Sequence, residues 1–143
     1  MFKSAFTLIE LLVVISIIGV LSTLSVVSLN SARQKSRDTR RVADIKQIQT
    51  ALEMYALNRS DGLYPVTSSA NIMGYCLDGS ETGFVSTCQS TVFMKKIPTN
   101  PLPGGADYIY DSNGISYTLT YLLEEKVGSL LPGPATATPG SIQ

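Results

Sequence analysis

The chain has no histidine, no tryptophan and only two cysteines in 143 residues. Without histidine there is no imidazole base, no Ser-His or Cys-His pair and no histidine metal ligand. Two cysteines cannot complete a four-ligand zinc site, and no glycine-rich phosphate loop is present. The sequence is therefore read as non-enzymatic, with no cofactor. Two further absences are local. Leu11 to Leu29 is a run of 19 residues without a charge, and neither proline nor glycine occurs between Val20 and Asp61.

At 1.5 Å per residue the uncharged run spans roughly 28 Å as a helix, close to the hydrocarbon thickness of a bilayer. Its polar members are Ser and Thr, whose hydroxyls can bond back to the helix backbone. Its many β-branched residues are weak helix formers in water, but in lipid the backbone must satisfy itself and helix wins. A buried core helix is one alternative. A cleavable secretory signal is another, with Lys3 as its basic start and Ser31-Ala32 as a cleavage site. The run is longer than a signal's usual apolar core, and Glu10 stands where such a signal becomes purely apolar.

Glu10 lies among Phe6, Leu8, Ile9 and Leu11. A carboxylate in a membrane helix costs on the order of 2.5–3.5 kcal/mol near its centre, so it marks a functional site that needs a partner. Lys3 is seven residues earlier and on a different helix face, which places the partner on another molecule. The sequence Phe6-Thr7-Leu8-Ile9-Glu10 followed by Leu11-Leu12-Val13-Val14-Ile15 resembles the N-terminal motif of type IV pilins and type II secretion pseudopilins. The resemblance implies that a prepilin peptidase removes a basic leader, Met1 to Ala5. It would cut between Ala5 and Phe6 and methylate the new amino group of Phe6. It further implies that Glu10 pairs with that amino group on a neighbouring subunit. The chain departs from the family pattern in having Ala5 where glycine is usual, and in having no proline in the membrane helix.

Beyond the span, Val42, Ile45, Ile48, Leu52, Tyr55 and Ala56 recur at steps of three and four, an amphipathic helical stripe. One helix is expected from about Phe6 to about Asn58, ended by Asp61-Gly62 and Pro65. A loop-rich stretch from Tyr64 to Lys96 follows, holding Cys76 and Cys88. In an exported domain these pair as a disulfide; otherwise they are two buried thiols. Tyr108 to Tyr110 and Ile115 to Leu122, joined by Asp111-Ser112-Asn113-Gly114, read as a β-hairpin. Tyr64-Pro65, Pro98 and Pro101, Tyr108 and Tyr110, Tyr117-Thr118-Leu119 and Leu123-Glu124 resemble, more loosely, the C-terminal pattern of the major pseudopilin. That family often binds calcium in this region. Asp107, Asp111 and Asn113 are the candidate ligands, but a plain turn is preferred and no metal is assigned.

The fold expected is α+β, a long N-terminal helix packed on a small antiparallel sheet. Its parts are a leader (residues 1–5), a membrane or filament-core helix (6–30), an amphipathic helix half (31–60), a globular β head (61–130) and a flexible tail (131–143). The tail is expected because Leu131 to Gln143 is uncharged and rich in Pro, Gly, Thr and Ala. Between Arg33 and Arg59 seven basic and three acidic residues give +4; from Ser60 onward three basic and seven acidic residues give −4. A basic stem and an acidic head can attract each other between copies. The positive-inside rule, applied to Arg33 to Arg41 against Lys3, would place the head in the cytoplasm. The family resemblance implies the reverse, and we follow it because the peptidase acts from the cytoplasm.

The resemblance thus implies a structural subunit that polymerises through its N-terminal helix into a type IV pilus. Its partners would be itself, the prepilin peptidase, an inner-membrane assembly platform and, before assembly, membrane lipid. It would be a single-pass protein of the cytoplasmic membrane with its head outside, then part of a surface filament. The alternatives are the major pseudopilin of a type II secretion system and, in a different class, a monomeric membrane-anchored binding domain. A simple tether has no use for Glu10. Nucleic-acid binding is disfavoured because Arg33 to Arg41 contains no aromatic residue on which bases could stack.

Overall fold

The structure, a computed structural model, describes residues 7–143. The chain divides into two compact units, Met1–Gln34 and Lys35–Gln143. One helix, α1 (Leu8–Asn58), supplies the described helical part of the first unit and the helical layer of the second. The expected start at Phe6 lies outside the described residues.

In the first unit the helix presents apolar side chains on every side, with Leu11, Ile15, Ile18 and Leu24 all exposed. It is long and apolar enough to cross a membrane, with a mean hydropathy of 2.5 over its most apolar window. Its hydroxyls bond back to the helix: Ser16 Oγ donates to the Leu12 carbonyl, Thr23 Oγ1 to that of Val20 and Ser25 Oγ to that of Leu21, each at 2.8 Å. This removes the polar cost that would otherwise count against insertion. The helix runs through Gly19 without interruption.

In the second unit α1 turns amphipathic. Ile45, Ile48, Leu52 and Tyr55 are fully buried. They pack on a five-stranded antiparallel sheet made of β1 (Thr67–Asn71), β5 (Ile109–Ser112), β6 (Tyr117–Leu123), β7 (Gly133–Thr138) and β8 (Ser141–Ile142). The order across the sheet is β1-β5-β6-β7-β8. Strand β6 shows the period of two most clearly. Tyr117, Leu119, Tyr121 and Leu123 face the helix, while Thr118, Thr120 and Leu122 alternate with them. The β5–β6 hairpin forms as expected, but its strands extend through the Ser112–Tyr117 pair, leaving Asn113 to Ser116 as the loop. Asn113 Oδ1 accepts the amides of Ile115 and Ser116, and Gly114 takes the positive φ of 90° that the loop requires.

The stretch from Tyr64 to Lys96 is more ordered than its composition suggests. It holds β1 and a small sheet in which β2 (Cys76–Asp78) lies between β3 (Phe84–Val85) and β4 (Val92–Met94). Cys76 and Cys88 are joined in a disulfide. Buried Asp78 holds the loop that the disulfide closes, accepting the amides of Ser80, Gln89 and Ser90 at 2.8–3.1 Å.

The expectation of a flexible tail over residues 131–143 does not hold. Strand β7 pairs along β6 from Leu119–Ala137 to Leu123–Gly133, and β8 folds back on β7. The composition argument failed because this strand covers a core that other elements have already built. It needs only Ala135 and Ala137 facing inward, both buried. Gln49 Nε2 pins the β7–β8 turn by donating to the carbonyls of Thr138 and Ser141. Pro139-Gly140 between threonine and serine is a turn pair that the sequence displayed.

Candidate functional site

Glu10 lies in the first turn of α1. Its carboxylate accepts the amide of Thr7 at 2.8 Å and the Thr7 hydroxyl at 2.6 Å, while Thr7 Oγ1 accepts the amide of Glu10 at 3.3 Å. This is a capping box, in which residues three apart satisfy each other's orphan amides at a helix start. The Thr-x-x-Glu spacing within Phe6-Thr7-Leu8-Ile9-Glu10 was there to be read. The box fixes the carboxylate at the very end of the helix, where the backbone dipole favours negative charge. Both bonds from Thr7 fall on one oxygen, Oε2. Ala5 and Phe6, the expected cleavage and methylation positions, lie outside the described residues.

A second polar arrangement sits within the head unit. Arg41 is fully buried, as is Asp38 one turn before it. Arg41 Nη1 donates to Asp38 Oδ1 at 2.5 Å and to Glu124 Oε1 at 2.6 Å. Its Nε reaches Asn100 Oδ1, and Nη2 reaches the carbonyls of Pro101 and Gly104. Asp38 in turn accepts the amides of Glu124 and Glu125 at the end of β6. Arg37 adds an ion pair to Glu124. One guanidinium therefore ties the stem helix to the end of β6 and to the loop before β5. Gly105 is required beside it, since a Cβ there would lie 2.6 Å from Arg41 Nη2, at a φ of 78°. Counting charges placed Asp38 and Arg41 in the basic stem but on no particular face. Carrying the apolar stripe of Ile45 back by one and two turns would have placed both on the buried face.

Glu124 is the titrating member of this cluster. The bond from Arg37 is the largest influence, burial opposes it, and Arg41 adds to it, so the carboxyl is held down to about 2. Asp44, also buried, moves the other way. Burial raises its value above the ordinary one, against the hydrogen bond from Tyr108 and the charge of Arg40. Because Glu124 is depressed, its contribution to stability is complete above its ordinary 4.5 and is lost as pH falls from there toward about 2. Asp44 has the opposite sign and favours the fold most at low pH, which blunts the fall. The head's melting temperature should therefore be steady near neutrality and drop in the acid range. Glu124→Gln should lower it at neutral pH and flatten the acid drop, as read by circular dichroism of the detergent-solubilised chain.

Asp107, Asp111 and Asn113 are not drawn to a common point. Asp107 accepts from Asn71 Nδ2, Asp111 holds the amide of Ser69, and Asn113 closes its own hairpin loop. Among the described residues no group of three or more His, Cys, Asp or Glu side chains is arranged to hold a metal ion.

The two polar sites on α1 thus differ in kind: a carboxylate heading an uncharged run, and an ion cluster midway along the helix that ties it to the sheet. The former lies in a segment that comparison with known families matches. Residues 1–26 match the prokaryotic N-terminal methylation motif. This motif is the signature of type IV pilins and pseudopilins, and it covers Ala5, Phe6 and Glu10. No curated protein and no solved structure matches the chain. The motif supports a pilin-like or pseudopilin subunit, structural rather than catalytic, and with the apolar helix it is consistent with membrane anchoring.

Proposed function

We propose that the chain is the structural subunit of a type IV pilus-type filament, inserted as a membrane precursor and polymerised through its N-terminal helix. The observation that carries this reading is the methylation motif followed by a helix whose one charge is Glu10 until Arg33. Cleavage between Ala5 and Phe6 frees an amino group that sits four residues from Glu10. In the bilayer Glu10, in the first turn of the helix, reaches the nearby interface. In a filament it enters a dry helix bundle, where the N-methylated amino group of Phe6 on the next copy offsets its charge. The prepilin peptidase, an inner-membrane assembly platform and membrane lipid are the partners this reading requires. A second reading, the major pseudopilin of a type II secretion system, shares every step. It is favoured by the tyrosine and proline pattern from Tyr64 to Glu124.

Mass spectrometry of the membrane fraction, with the peptidase coexpressed, tests the processing step. The expected product has lost Met1 to Ala5 and gained one methyl group. Ala5→Gly should cleave as fast or faster, since glycine is the residue usual at that position. An intact N-terminus, or one beginning near Arg33, would refute the reading.

A further inference from the structure

Two loops of the head unit are fastened to the first turns of its helix. Arg41 Nη2 donates to the carbonyls of Pro101 and Gly104, and Asp38 accepts the amides of Glu124 and Glu125, where the loop between β6 and β7 begins. The two loops lie against each other, since a Cβ on Gly104 would stand 2.9 Å from the carboxyl carbon of Glu124. Neither residues 101–105 nor residues 127–132 include a charge, and each loop turns one leucine outward. Leu102, between the two carbonyls that Arg41 holds, is 82% exposed. In the second loop Val127 and Leu130 exchange backbone hydrogen bonds and Leu130 packs on the core, while the next residue, Leu131, is 68% exposed. The same helix, followed back along the chain, has no acidic residue from Leu11 to Arg37 and no charge from Leu11 to Ala32. Its first two bases, Arg33 and Lys35, are exposed, and among the described residues neither belongs to an ion pair. Bases just beyond an apolar helix reach the level of the lipid phosphates. From Arg33 to Asp38 the helix rises about 7.5 Å, close to the depth of one headgroup layer.

We infer that in the membrane precursor these two loops rest on the bilayer, with Leu102 and Leu131 inserted among the lipid headgroups. Arg33 and Lys35 complement the phosphates and fix the depth of the helix, and the loops tied to Asp38 and Arg41 come next along it. A fluid surface admits single leucines on separate tips without a shaped pocket, as it admits the apolar side chains of other interfacial segments. The buried cluster of Asp38, Arg41 and Glu124 then has a task beyond stability, because it holds both tips at one end of the head. Two leucines give a weak and reversible contact, which steadies the head before assembly and lets go when the subunit leaves the bilayer. This inference rests on the membrane-precursor part of the proposed function and does not depend on polymerisation.

The chain has no tryptophan, so one introduced tryptophan reports its own position. Leu102→Trp, Leu131→Trp, Ile115→Trp and Ile18→Trp are each made in the full chain and reconstituted in vesicles of mixed phosphatidylcholine and phosphatidylglycerol. The lipids are brominated either just below the headgroup or deep in the acyl chains. All four side chains are exposed, so the core is left alone. With shallow bromine, Leu102→Trp and Leu131→Trp should lose at least about half of their emission, and that emission should lie to the blue. Ile115→Trp sits in the β5–β6 loop at the other end of β6, about 20 Å away along the strand, and should keep its emission. Ile18→Trp, within the span, should be quenched by deep bromine. If it is, and the two loop probes behave like Ile115→Trp, the head stands clear of the bilayer; the inference is overturned and the membrane reading survives. If Ile18→Trp is not quenched, both fail. A blue shift of the loop probes without quenching, lost when lipid is increased about tenfold over protein, assigns the leucines to a second copy of the chain and also overturns the inference.

Discussion

Glu10→Leu is expected to insert, to be cleaved at Phe6 and to yield roughly tenfold less sheared filament than the unaltered chain, or none. Removing the carboxylate makes the helix a better membrane span, by on the order of 2.5–3.5 kcal/mol on insertion scales if it sat at the centre. Insertion therefore cannot be what Glu10 is kept for. Rows of Leu, Val and Ile from Leu11 to Leu29 pack with similar energy at several axial offsets. A single buried polar pair selects one of them, as a lone polar residue fixes the register of a coiled coil. The capping box complicates a simple leucine variant, because it also loses the bonds with Thr7. A lost cap is worth about 1 kcal/mol at the first turn. Glu10→Gln separates the two effects. Glutamine can complete the box but brings no charge, so it should assemble as poorly as leucine. Normal filaments from Glu10→Gln would reduce Glu10 to a helix cap and remove the pairing mechanism. Glu10→Asp should be partly defective, its shorter arm displacing the carboxylate.

Arg41→Ala is expected to destabilise the head by about 3–5 kcal/mol, the usual cost of removing one partner from a buried ion pair. Asp38 would keep its backbone amides but lose its countercharge. The carbonyls of Pro101 and Gly104 would lose their donor in a nearly closed site. For a unit of this size that corresponds to a fall in melting temperature of more than about 10 °C. Arg41→Lys should fall between, because an ammonium group cannot reach Asp38, Glu124, Asn100 and the loop carbonyls with one fork. A thermal melt of the detergent-solubilised chain checks both. A loss for Arg41→Ala within the usual range of a surface substitution, about ±0.5 kcal/mol, would show that the cluster merely fills space.

What the sequence displayed and what it hid divide along physical lines. The long apolar helix, the stripe from Val42 to Ala56 and the β5–β6 hairpin depend on local period and local turn chemistry, and all three were legible. The pairing of Cys76 with Cys88 rested on the compartment as much as on the residues. Strands β7 and β8 were hidden because their stability comes from a surface made elsewhere, Tyr121 and Leu119 of β6, against which alanine suffices. The Asp38–Arg41–Glu124 cluster was hidden because Glu124 is more than eighty residues away in the chain, and no local pattern connects it to the helix. Asp107, Asp111 and Asn113 looked alike by composition; each is committed to a different hydrogen bond, which only the fold could reveal.

The filament itself tests the account most directly. Cells making this chain with its peptidase and assembly platform should release, on shearing, filaments that bind antibody to the head. The N-terminal peptide of their subunits should begin at N-methyl-Phe6. A chain that remains wholly in the membrane fraction as a processed monomer, with no decorated filament under conditions where the platform is active, would contradict the claim that it polymerises.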